Sequence, residues 1–323
     1  MQIGILGAAG IAVNSLIWPV RRRSDASVTA VASKSSASTY AERHGIERSY
    51  DSYEALLADS ELELVYNALP PSLHAQWSIA ALRAGKHVLC EKPFAMTAAE
   101  AERVVAVAAE TGSRVIEAFH DHYHPLSGWI RAFVAAGRLG PIRHVEAVFT
   151  GSTPFAANTL RHDPSLGGGA LMDLGCYPVH WLRALFAGVP SVVGAEAELN
   201  PAGADLAMDA ELAFDGGVRG SVRASMAEGV PLRSALSIDA ERGTLVAENI
   251  VFPSAGHTIR LELDGVPYAH TVAGQTTYDH QLDAVLGALR TGEPLPTEGA
   301  DSVANMAVID AIYAAAGFAR PWA

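Results

Sequence analysis

Three side chains that lie far apart in the sequence could together support proton and hydride transfer at an oxygen-bearing carbon. Lys92 stands in Glu91-Lys92-Pro93, directly after a short apolar run, and Asp173 and Tyr177 follow the glycines at 167–169. Hydride transfer to or from a carbinol needs a partner for the proton of the oxygen. A tyrosine, with an ordinary pKa near ~10, can serve when a nearby ammonium favours the phenolate. Lys92, Asp173 and Tyr177 are therefore the candidate catalytic residues.

Each of these residues also has a structural alternative. Lys92 could be a surface residue at a strand end, Asp173 could cap a helix or pair with an arginine, and Tyr177 could be a core aromatic residue. Arg161, shortly before the glycines, is a candidate for binding a substrate hydroxyl or carboxylate, or for positioning Asp173.

A glycine-rich turn close to the N-terminus has the composition of a dinucleotide-binding loop. The run Gly7-Ala8-Ala9-Gly10-Ile11-Ala12 follows the first predicted strand and opens a helix, whose N-terminal amides and dipole favour phosphate. Gly7 and Ala12 suit the tight turn and the helix–strand packing, whereas Ala9 stands where the middle glycine normally lies. A plain glycine-rich strand–helix turn is the alternative.

The end of the second predicted strand bears on the choice between NAD and NADP. An NAD site usually has an acid here for the ribose hydroxyls, but no carboxylate occurs between Asp25 and Glu42. The hydroxyl of Ser33 and the ammonium of Lys34 instead suit a 2′-phosphate. The sequence therefore favours NADP(H), with NAD(H) as the alternative.

The elements that must position these groups follow an alternating pattern in the first 120 residues. Helical patterns at 72–84 and 97–110 separate some of the apolar runs that predict strands at 3–6, 28–32, 64–67, 87–90 and 114–117. Repeated strand–helix–strand units predict a parallel, doubly wound sheet. We therefore expect a Rossmann-type, NADP-binding α/β domain over residues 1–120.

The pattern changes after about residue 120. Longer strands joined by turn signals are predicted at 143–150, 192–199, 208–214, 218–225, 236–240 and 259–263. They indicate an open, mainly antiparallel sheet in an α+β domain over residues 121–323, which would bind substrate and form oligomers. Two helices, near 276–290 and 300–316, close the chain, and the last can pack back on the first domain.

The composition excludes several classes of protein. The hydrophobic share of 50% is too high for a disordered chain, and the net charge of −12 argues against partners such as nucleic acid or an anionic membrane. Cys90 and Cys176 make no disulfide framework, which fits a reducing, cytoplasmic location. Residues 1–20 lack charge, but the arginines follow the apolar part, the reverse of a signal peptide.

The run His120-Asp121-His122-Tyr123-His124 raises the question of a metal site. No carboxylate or cysteine cluster elsewhere completes a ligand set, so we expect no metal. We expect His122 and His124 at the domain junction instead, lining the substrate cleft.

The order and spacing of these motifs resemble the glucose–fructose oxidoreductase / inositol dehydrogenase (Gfo/Idh/MocA) family. The resemblance extends through nearly the whole chain and rests on Gly7–Ala12, Asn67-Ala68-Leu69-Pro70 with His74, Glu91-Lys92-Pro93, and Gly168-Gly169 with Asp173 and Tyr177. It implies a Rossmann domain followed by an α/β domain whose open sheet is used for oligomerisation. With the residues derived above, the expected cofactor-binding set is Gly7, Ala9, Gly10, Ile11, Ala12, Ser33, Lys34, Asn67, Leu69, Pro70, His74, Glu91 and Lys92.

The resemblance also implies roles at the reacting centre. Lys92 would orient the reacting oxygen and contact the nicotinamide ribose, Asp173 would orient the substrate or the lysine, and Tyr177 would be the acid or base. Tyrosine at this position is similar to the dimeric dihydrodiol dehydrogenase and NADP-dependent xylose or glucose dehydrogenase branches. The expected substrate-binding residues are His122, His124, Arg161, Asp173 and Tyr177.

These inferences predict an NAD(P)-dependent oxidoreductase acting on the carbinol carbon of a sugar, polyol or dihydrodiol-like substrate, with NADP favoured. The alternatives are a non-catalytic NADP-sensing protein on the same fold and an oxidoreductase that holds its cofactor tightly. An uncovered apolar face of the second sheet would be exposed in a monomer, so we expect a homodimer or homotetramer.

Overall fold

The computed structural model describes residues 1–186 and 188–318, which divide into two compact units. Unit 1 comprises Met1–Phe119 and Gln281–Val303. Unit 2 comprises His120–His280 and the chain from Ala304 onward. Each unit is built around one sheet.

Unit 1 contains a six-stranded sheet, called sheet A. Its strands are β1 (Gln2–Leu6), β2 (Ser27–Ala32), β3 (Arg48–Tyr50), β4 (Leu64–Asn67), β5 (His87–Cys90) and β6 (Val115–Glu117). The order is β3-β2-β1-β4-β5-β6, and all the pairings are parallel. The direction of winding reverses between β1 and β4, where doubly wound sheets bind their ligands at the carboxyl ends of the strands. The predicted α/β fold is confirmed.

Helices connect the strands of sheet A. They are α1 (Trp18–Arg21), which continues a π-helical turn over Val13–Ile17, α2 (Ala37–His44), α3 (Tyr53–Leu57), α4 (Pro71–Arg83) and α5 (Ala98–Thr111). Thr97 caps α5 by accepting a hydrogen bond from the amide of Glu100 at 3.2 Å, and Gly112 ends it in the left-handed region. The predicted start of α4 is wrong by one residue, because Pro71 occupies its first position, where the missing N–H costs nothing.

The core of unit 1 lies between the strands and the helices of the sheet. Ile3, Ile5, Leu64, Tyr66 and Leu89 point from the strands into one buried cluster. That cluster also contains side chains contributed by the C-terminal part of unit 1: Leu282, Val285 and Leu286. A sheet covered in this way explains the near-continuous apolar runs of its strands.

Unit 2 contains an eight-stranded sheet, called sheet B. Its strands are β7 (Ile142–Thr150), β8 (Ser191–Leu199), β9 (Asp205–Ala213), β10 (Arg219–Ser225), β11 (Arg233–Ala240), β12 (Gly243–Glu248), β13 (Thr258–Leu263) and β14 (Val266–His270). The order is β14-β13-β12-β11-β7-β10-β9-β8, and only the β7–β10 pairing is parallel. The mainly antiparallel sheet is as predicted.

Four further helices complete the chain. They are α6 (Pro125–Ala135), α7 (Cys176–Leu185), α8 (Thr277–Thr291) and α9 (Ala300–Ala315). Helix α7 packs on sheet B through its aromatic side chains, with the ring of Phe149 in edge contact with Tyr177. Among the described residues, no helix combines the length and the apolar character that a bilayer span requires.

The face of sheet B opposite α7 is polar, so the expectation of an apolar open face is wrong. Cross-strand ion pairs line it: Arg223 with Asp209 at 2.6 Å, and Arg233 with Glu248 at 3.0 Å. The alternating pattern of these strands does place apolar residues on one face only, but that face is the one covered by α7. Any partner on the open face would meet charges.

Candidate active site

The glycine-rich loop of unit 1 lies against the end of strand β4. Gly7 has φ +93°, and a Cβ there would stand 3.2 Å from the carbonyl oxygen of Ala68. Only glycine accepts both this backbone angle and this contact. Ala9 is not among the non-glycine residues with positive φ, so its methyl group is accommodated without backbone strain. A Cβ on Gly10 would meet no atom within 4 Å, which leaves open space beside the amides that begin the helix.

The turn after strand β2 lies beside this loop. The amide of Gly7 donates to the carbonyl of Ala32 at 2.9 Å, and the hydroxyl of Tyr40 donates to the carbonyl of Ala9 at 3.0 Å. The next residue, Ser33, has its hydroxyl 2.9 Å from that of Ser36, and the side chain of Lys34 is exposed. Ser33 and Lys34 therefore follow β2 beside the glycine-rich loop, and their role in binding the ribose stays a prediction.

Two residues expected to bind the cofactor, Asn67 and His74, are hydrogen-bonded to the protein backbone, and their cofactor role stays a prediction. The side-chain amide of Asn67 donates to the carbonyl of His74 at 3.1 Å. The ring nitrogens of His74 lie 2.7 Å from the carbonyl of Leu69 and 2.8 Å from that of Pro93. Burial is the dominant influence and lowers the pKa of His74 to about 4, while the two carbonyl contacts favour the protonated ring and oppose this shift. Asn67 and His74 therefore hold the backbone of residues 67–74 in place, and His74 also contacts the backbone of Pro93.

Lys92 stands at the carboxyl edge of sheet A, in a segment fixed from several sides. The Lys92–Pro93 peptide bond is cis, and the amide of Phe94 donates to the carboxylate of Glu117 at 3.0 Å. The carboxylate of Glu91 accepts hydrogen bonds from the hydroxyl of Tyr66 and, at 3.2 Å, from the amide of Lys92. Glu91 is thus buried, the Lys92 side chain is partly exposed, and a role in binding the cofactor stays a prediction for both.

Tyr177 lies in the first turn of α7 and is 4% exposed. Its hydroxyl is 3.0 Å from Nε2 of His120, and Nδ1 of the same imidazole is 2.7 Å from the hydroxyl of Thr277. The three groups form a buried chain from α7 through the 120–123 turn to the first residue of α8. Tyr177 is therefore more than a core aromatic side chain, because its polar end is bonded to a titratable partner.

Asp173 lies in a π-helical turn over Leu171–Gly175, directly before α7, and its carboxylate accepts a hydrogen bond from Nε of Arg161 at 2.6 Å. The Arg161 side chain is 57% exposed and that of Asp173 is 20% exposed. Of the two roles considered for Arg161, this geometry supports the positioning of Asp173.

The glycines before this turn permit two close approaches. A Cβ on Gly168 would overlap the carbonyl of Leu160, and one on Gly169, where φ is +133°, would overlap the carboxylate of Asp205. That carboxylate accepts hydrogen bonds from the amide of Leu171 at 2.6 Å and from the hydroxyl of Tyr313 at 2.8 Å. Asp205 therefore fixes the start of the turn that carries Asp173.

His122 and His124 point to other parts of unit 2. The ring of His122 packs on His180, and burial lowers the pKa of His122 to about 3. His124 caps α6 by accepting the amide of Leu126 at 3.1 Å, and its ring lies 5.2 Å from that of His280. A role in binding substrate stays a prediction for both. Within residues 1–186 and 188–318, no group of three or more His, Cys, Asp or Glu side chains is arranged to hold a metal ion.

Three contributors to the site were not predicted. Thr277 is hydrogen-bonded to His120, and Asp205 accepts a hydrogen bond from the amide of Leu171. The partners are far apart in the sequence, and no local sequence pattern predicts either contact. His120 lies within the histidine run, but the sequence analysis assigned substrate roles only to His122 and His124 and none to His120. The signal that could have found it is its position next to the Glu117-Ala118-Phe119 segment at the end of β6.

Comparison with known proteins agrees with this architecture. A family model described as an oxidoreductase family with an NAD-binding Rossmann fold matches residues 1–119, and the model of the GFO/IDH/MocA C-terminal domain matches residues 129–246. The chain belongs to the GFO/IDH/MocA oxidoreductase family. The predicted resemblance is confirmed, as is the prediction of an enzyme that uses a nicotinamide dinucleotide.

Individual relatives match over almost the full chain. The D-xylose 1-dehydrogenase (NADP(+)) 2 of Haloferax volcanii is 37% identical over 98% of this chain and 97% of its own. The aldose-aldose oxidoreductase of Caulobacter crescentus, crystallised with glycerol, has a TM-score of 0.89 at 26% identity, and covers 98% of this chain and 97% of its own. A 3-ketoreductase of Actinomadura kijaniata, crystallised with NADP and TDP-benzene, has a TM-score of 0.87 at 28% identity with the same coverage.

Proposed function

We propose that this family member is an NADP(H)-dependent oxidoreductase that moves a hydride between the nicotinamide and the carbinol carbon of a sugar, polyol or dihydrodiol-like molecule. The observation that carries the proposal is that two candidate catalytic residues of unit 2, Tyr177 and Asp173, each have a hydrogen-bond partner. Tyr177 has a proton partner in His120, and Asp173 has a cation in Arg161. Family membership alone would not require either arrangement.

The preference for NADP rests on the turn after β2. Ser33 and Lys34 lie beside the glycine-rich loop, and no carboxylate is available there to bind both ribose hydroxyls. A cation and a hydroxyl favour a phosphate at the 2′ position. The named NADP-dependent relative and the NADP complex of the structural neighbour support the same choice.

The proposed mechanism gives each residue one task. The nicotinamide, when bound, supplies or accepts the hydride. Lys92 holds the reacting oxygen through its ammonium and stabilises negative charge that develops there. Tyr177 gives or takes the proton of that oxygen, and Asp173, held by Arg161, orients the substrate through its carboxylate.

The first test replaces Lys92 by alanine. We expect NADPH binding, measured by fluorescence titration, to stay measurable, because the loop around Gly7 is untouched. Turnover with D-xylose or the best substrate of a sugar and inositol panel should fall by about 10² or more, since the charge that holds the oxygen is lost. Near-normal turnover would refute the assignment, and Arg103→Ala, which removes an exposed cation from α5, serves as the control.

The second test replaces Tyr177 by phenylalanine. Loss of the proton partner should lower turnover by roughly 10² to 10⁴ and alter the pH–rate profile. Tyr268→Phe removes the same hydroxyl from an exposed position on β14 and should leave both unchanged. If Tyr177→Phe also left both unchanged, Tyr177 would be a packing residue.

The association state and location are further parts of the proposal. We infer a homodimer or homotetramer through the open face of sheet B, where ion pairs such as Arg223 with Asp209 supply charges that a second copy can match. A monomer in light scattering at micromolar concentration would contradict this. The two buried free cysteines, Cys90 and Cys176, fit a reducing cytoplasm.

A further inference from the structure

The partner of the Tyr177 hydroxyl is itself a titratable group with a second partner. His120 is 2% exposed, and its two ring nitrogens are within hydrogen-bond distance of Tyr177 on one side and Thr277 on the other. We propose that His120 is a proton relay for Tyr177, and that Thr277 holds its ring in the required state. This inference rests on the proposed function, since it assigns a partner to the acid or base named there.

The geometry leaves little freedom to the imidazole. A neutral ring has one N–H and one bare nitrogen, so it donates on one side and accepts on the other. The ring of Tyr278 packs against His120 at a centroid distance of 4.1 Å, and that of Phe252 at 5.9 Å. These contacts prevent the ring from swinging away, so its hydrogen bonds can reverse direction without a movement of heavy atoms.

The relay conserves every proton that it moves. During oxidation the substrate O–H bond breaks and its proton goes to the Tyr177 oxygen, while the former phenolic proton passes to Nε2 of His120. The imidazole becomes an imidazolium whose Nδ1–H donates to the hydroxyl of Thr277. The hydride departs to the oxidised nicotinamide, as in the proposed function. Reduction runs the same transfers backward, so the phenol is regenerated without a free phenolate.

The groups around the ring are compatible with a changing charge. Two phenols contact the ring: Tyr177 from α7 and Tyr278 from α8. The neighbouring carboxylate of Asp121 is turned toward α7, where it accepts the indole N–H of Trp181 at 2.6 Å. Burial raises the pKa of Asp121 to about 6.

The test compares pH–rate profiles of His120→Gln, Thr277→Val and the parent protein. The readout is the rate of NADP⁺ reduction with the fastest substrate of an aldose, inositol and dihydrodiol panel. At pH 7 we expect His120→Gln to be slower by about 10². The deficit should shrink toward pH 10, because solvent then deprotonates a tyrosine of ordinary pKa near ~10. Thr277→Val should be several-fold slower over the same range, and His144→Gln is the matched control.

A structural role for His120 would predict a different result. A rate lowered by the same factor at every pH would overturn the relay, and so would an unchanged rate. If Tyr177→Phe itself kept full activity, the proposed function would fail instead, so the two failures are distinguishable. An independent readout is the ¹⁵N spectrum of the His120 ring, since Tyr177→Phe should shift the Nε2 resonance, and an unmoved resonance would refute the hydrogen bond even if His120→Gln did not fold.

Discussion

His74 should make the stability of unit 1 sensitive to mild acid. The ring is 1% exposed and lies between the carbonyl of Leu69 and that of Pro93, the residue after Lys92. Burial lowers its pKa from 6.5 to about 4. Between these two values the unfolded chain carries a proton on this residue that the folded chain does not, so unfolding is favoured as the pH falls.

The size of the effect follows from the shift. One pKa unit corresponds to ~1.4 kcal/mol, so a shift from 6.5 to about 4 is worth about 3 kcal/mol when it is complete below pH 4. Between pH 7 and pH 5, about 2 kcal/mol of the free energy of unfolding should be lost through this residue. This loss of stability is absent well above pH 6.5, begins as the pH falls through 6.5, and is complete below about pH 4.

The assay isolates the contribution of His74 by comparing the parent protein with a variant that lacks the imidazole. Urea-dependent hydrogen exchange of the amides in α4 reports the free energy of opening of unit 1, at pH 7 and at pH 5, in the parent and in His74→Gln. The variant should be less stable at pH 7, because a buried hydrogen bond is lost, but its drop between pH 7 and pH 5 should be smaller by about 2 kcal/mol. The substitution His144→Gln should keep the parent's drop. An equal drop in the parent and His74→Gln would refute the neutral, buried ring.

Three other substitutions test the remaining parts of the site. Lys34→Glu should reverse the preference for NADP over NAD, seen as a change of at least tenfold in the ratio of kcat/KM values, because a carboxylate repels a 2′-phosphate; an unchanged ratio would remove Lys34 from the cofactor site. Arg161→Ala should lower kcat several-fold while costing less than about 1 kcal/mol in thermal stability, because the ion pair with Asp173 is largely exposed; normal kcat would make the pair incidental. Gly169→Ala should give an unstable or insoluble protein in a melting experiment, since its Cβ would overlap Asp205, and a parent-like Tm would contradict this close approach.

The sequence was sufficient to predict the two sheets but not every strand in them. Apolar runs with clear boundaries located β1, β2, β4, β5 and β6 within about a residue. Strand β3 has only three residues, and too few side chains are buried for a pattern. Strand β14 is fully exposed and contains Pro267, which a strand tolerates only at an edge. Strand β12 was not predicted, although the burial of its side chains alternates. The strand predicted before it ended at residue 240, and no turn was recognised there that would have indicated a hairpin.

The candidate catalytic residues could be named from the sequence, as could Arg161 as a partner of Asp173, but the partner of Tyr177 could not. Lys92, Asp173 and Tyr177 stand in local motifs, and a motif is visible without a fold. The contact between Tyr177 and His120 joins residues 57 positions apart, and that between His120 and Thr277 joins residues 157 apart. Nothing in a single sequence couples such positions. The structure therefore adds the partner of Tyr177, which bears on the proton chemistry that its hydroxyl can do.

The histidine run shows why closeness in sequence differs from closeness in space. Residues His120–Tyr123 form a 3₁₀ turn, in which successive side chains are rotated by about 120°. His120 and His122 therefore point in different directions, and His124 has already entered the cap of α6. Their rings contact Tyr177, His180 and His280, respectively. Three imidazoles that would form a metal site on one face of a strand thus serve three separate contacts, and only the first reaches the group proposed to move a proton.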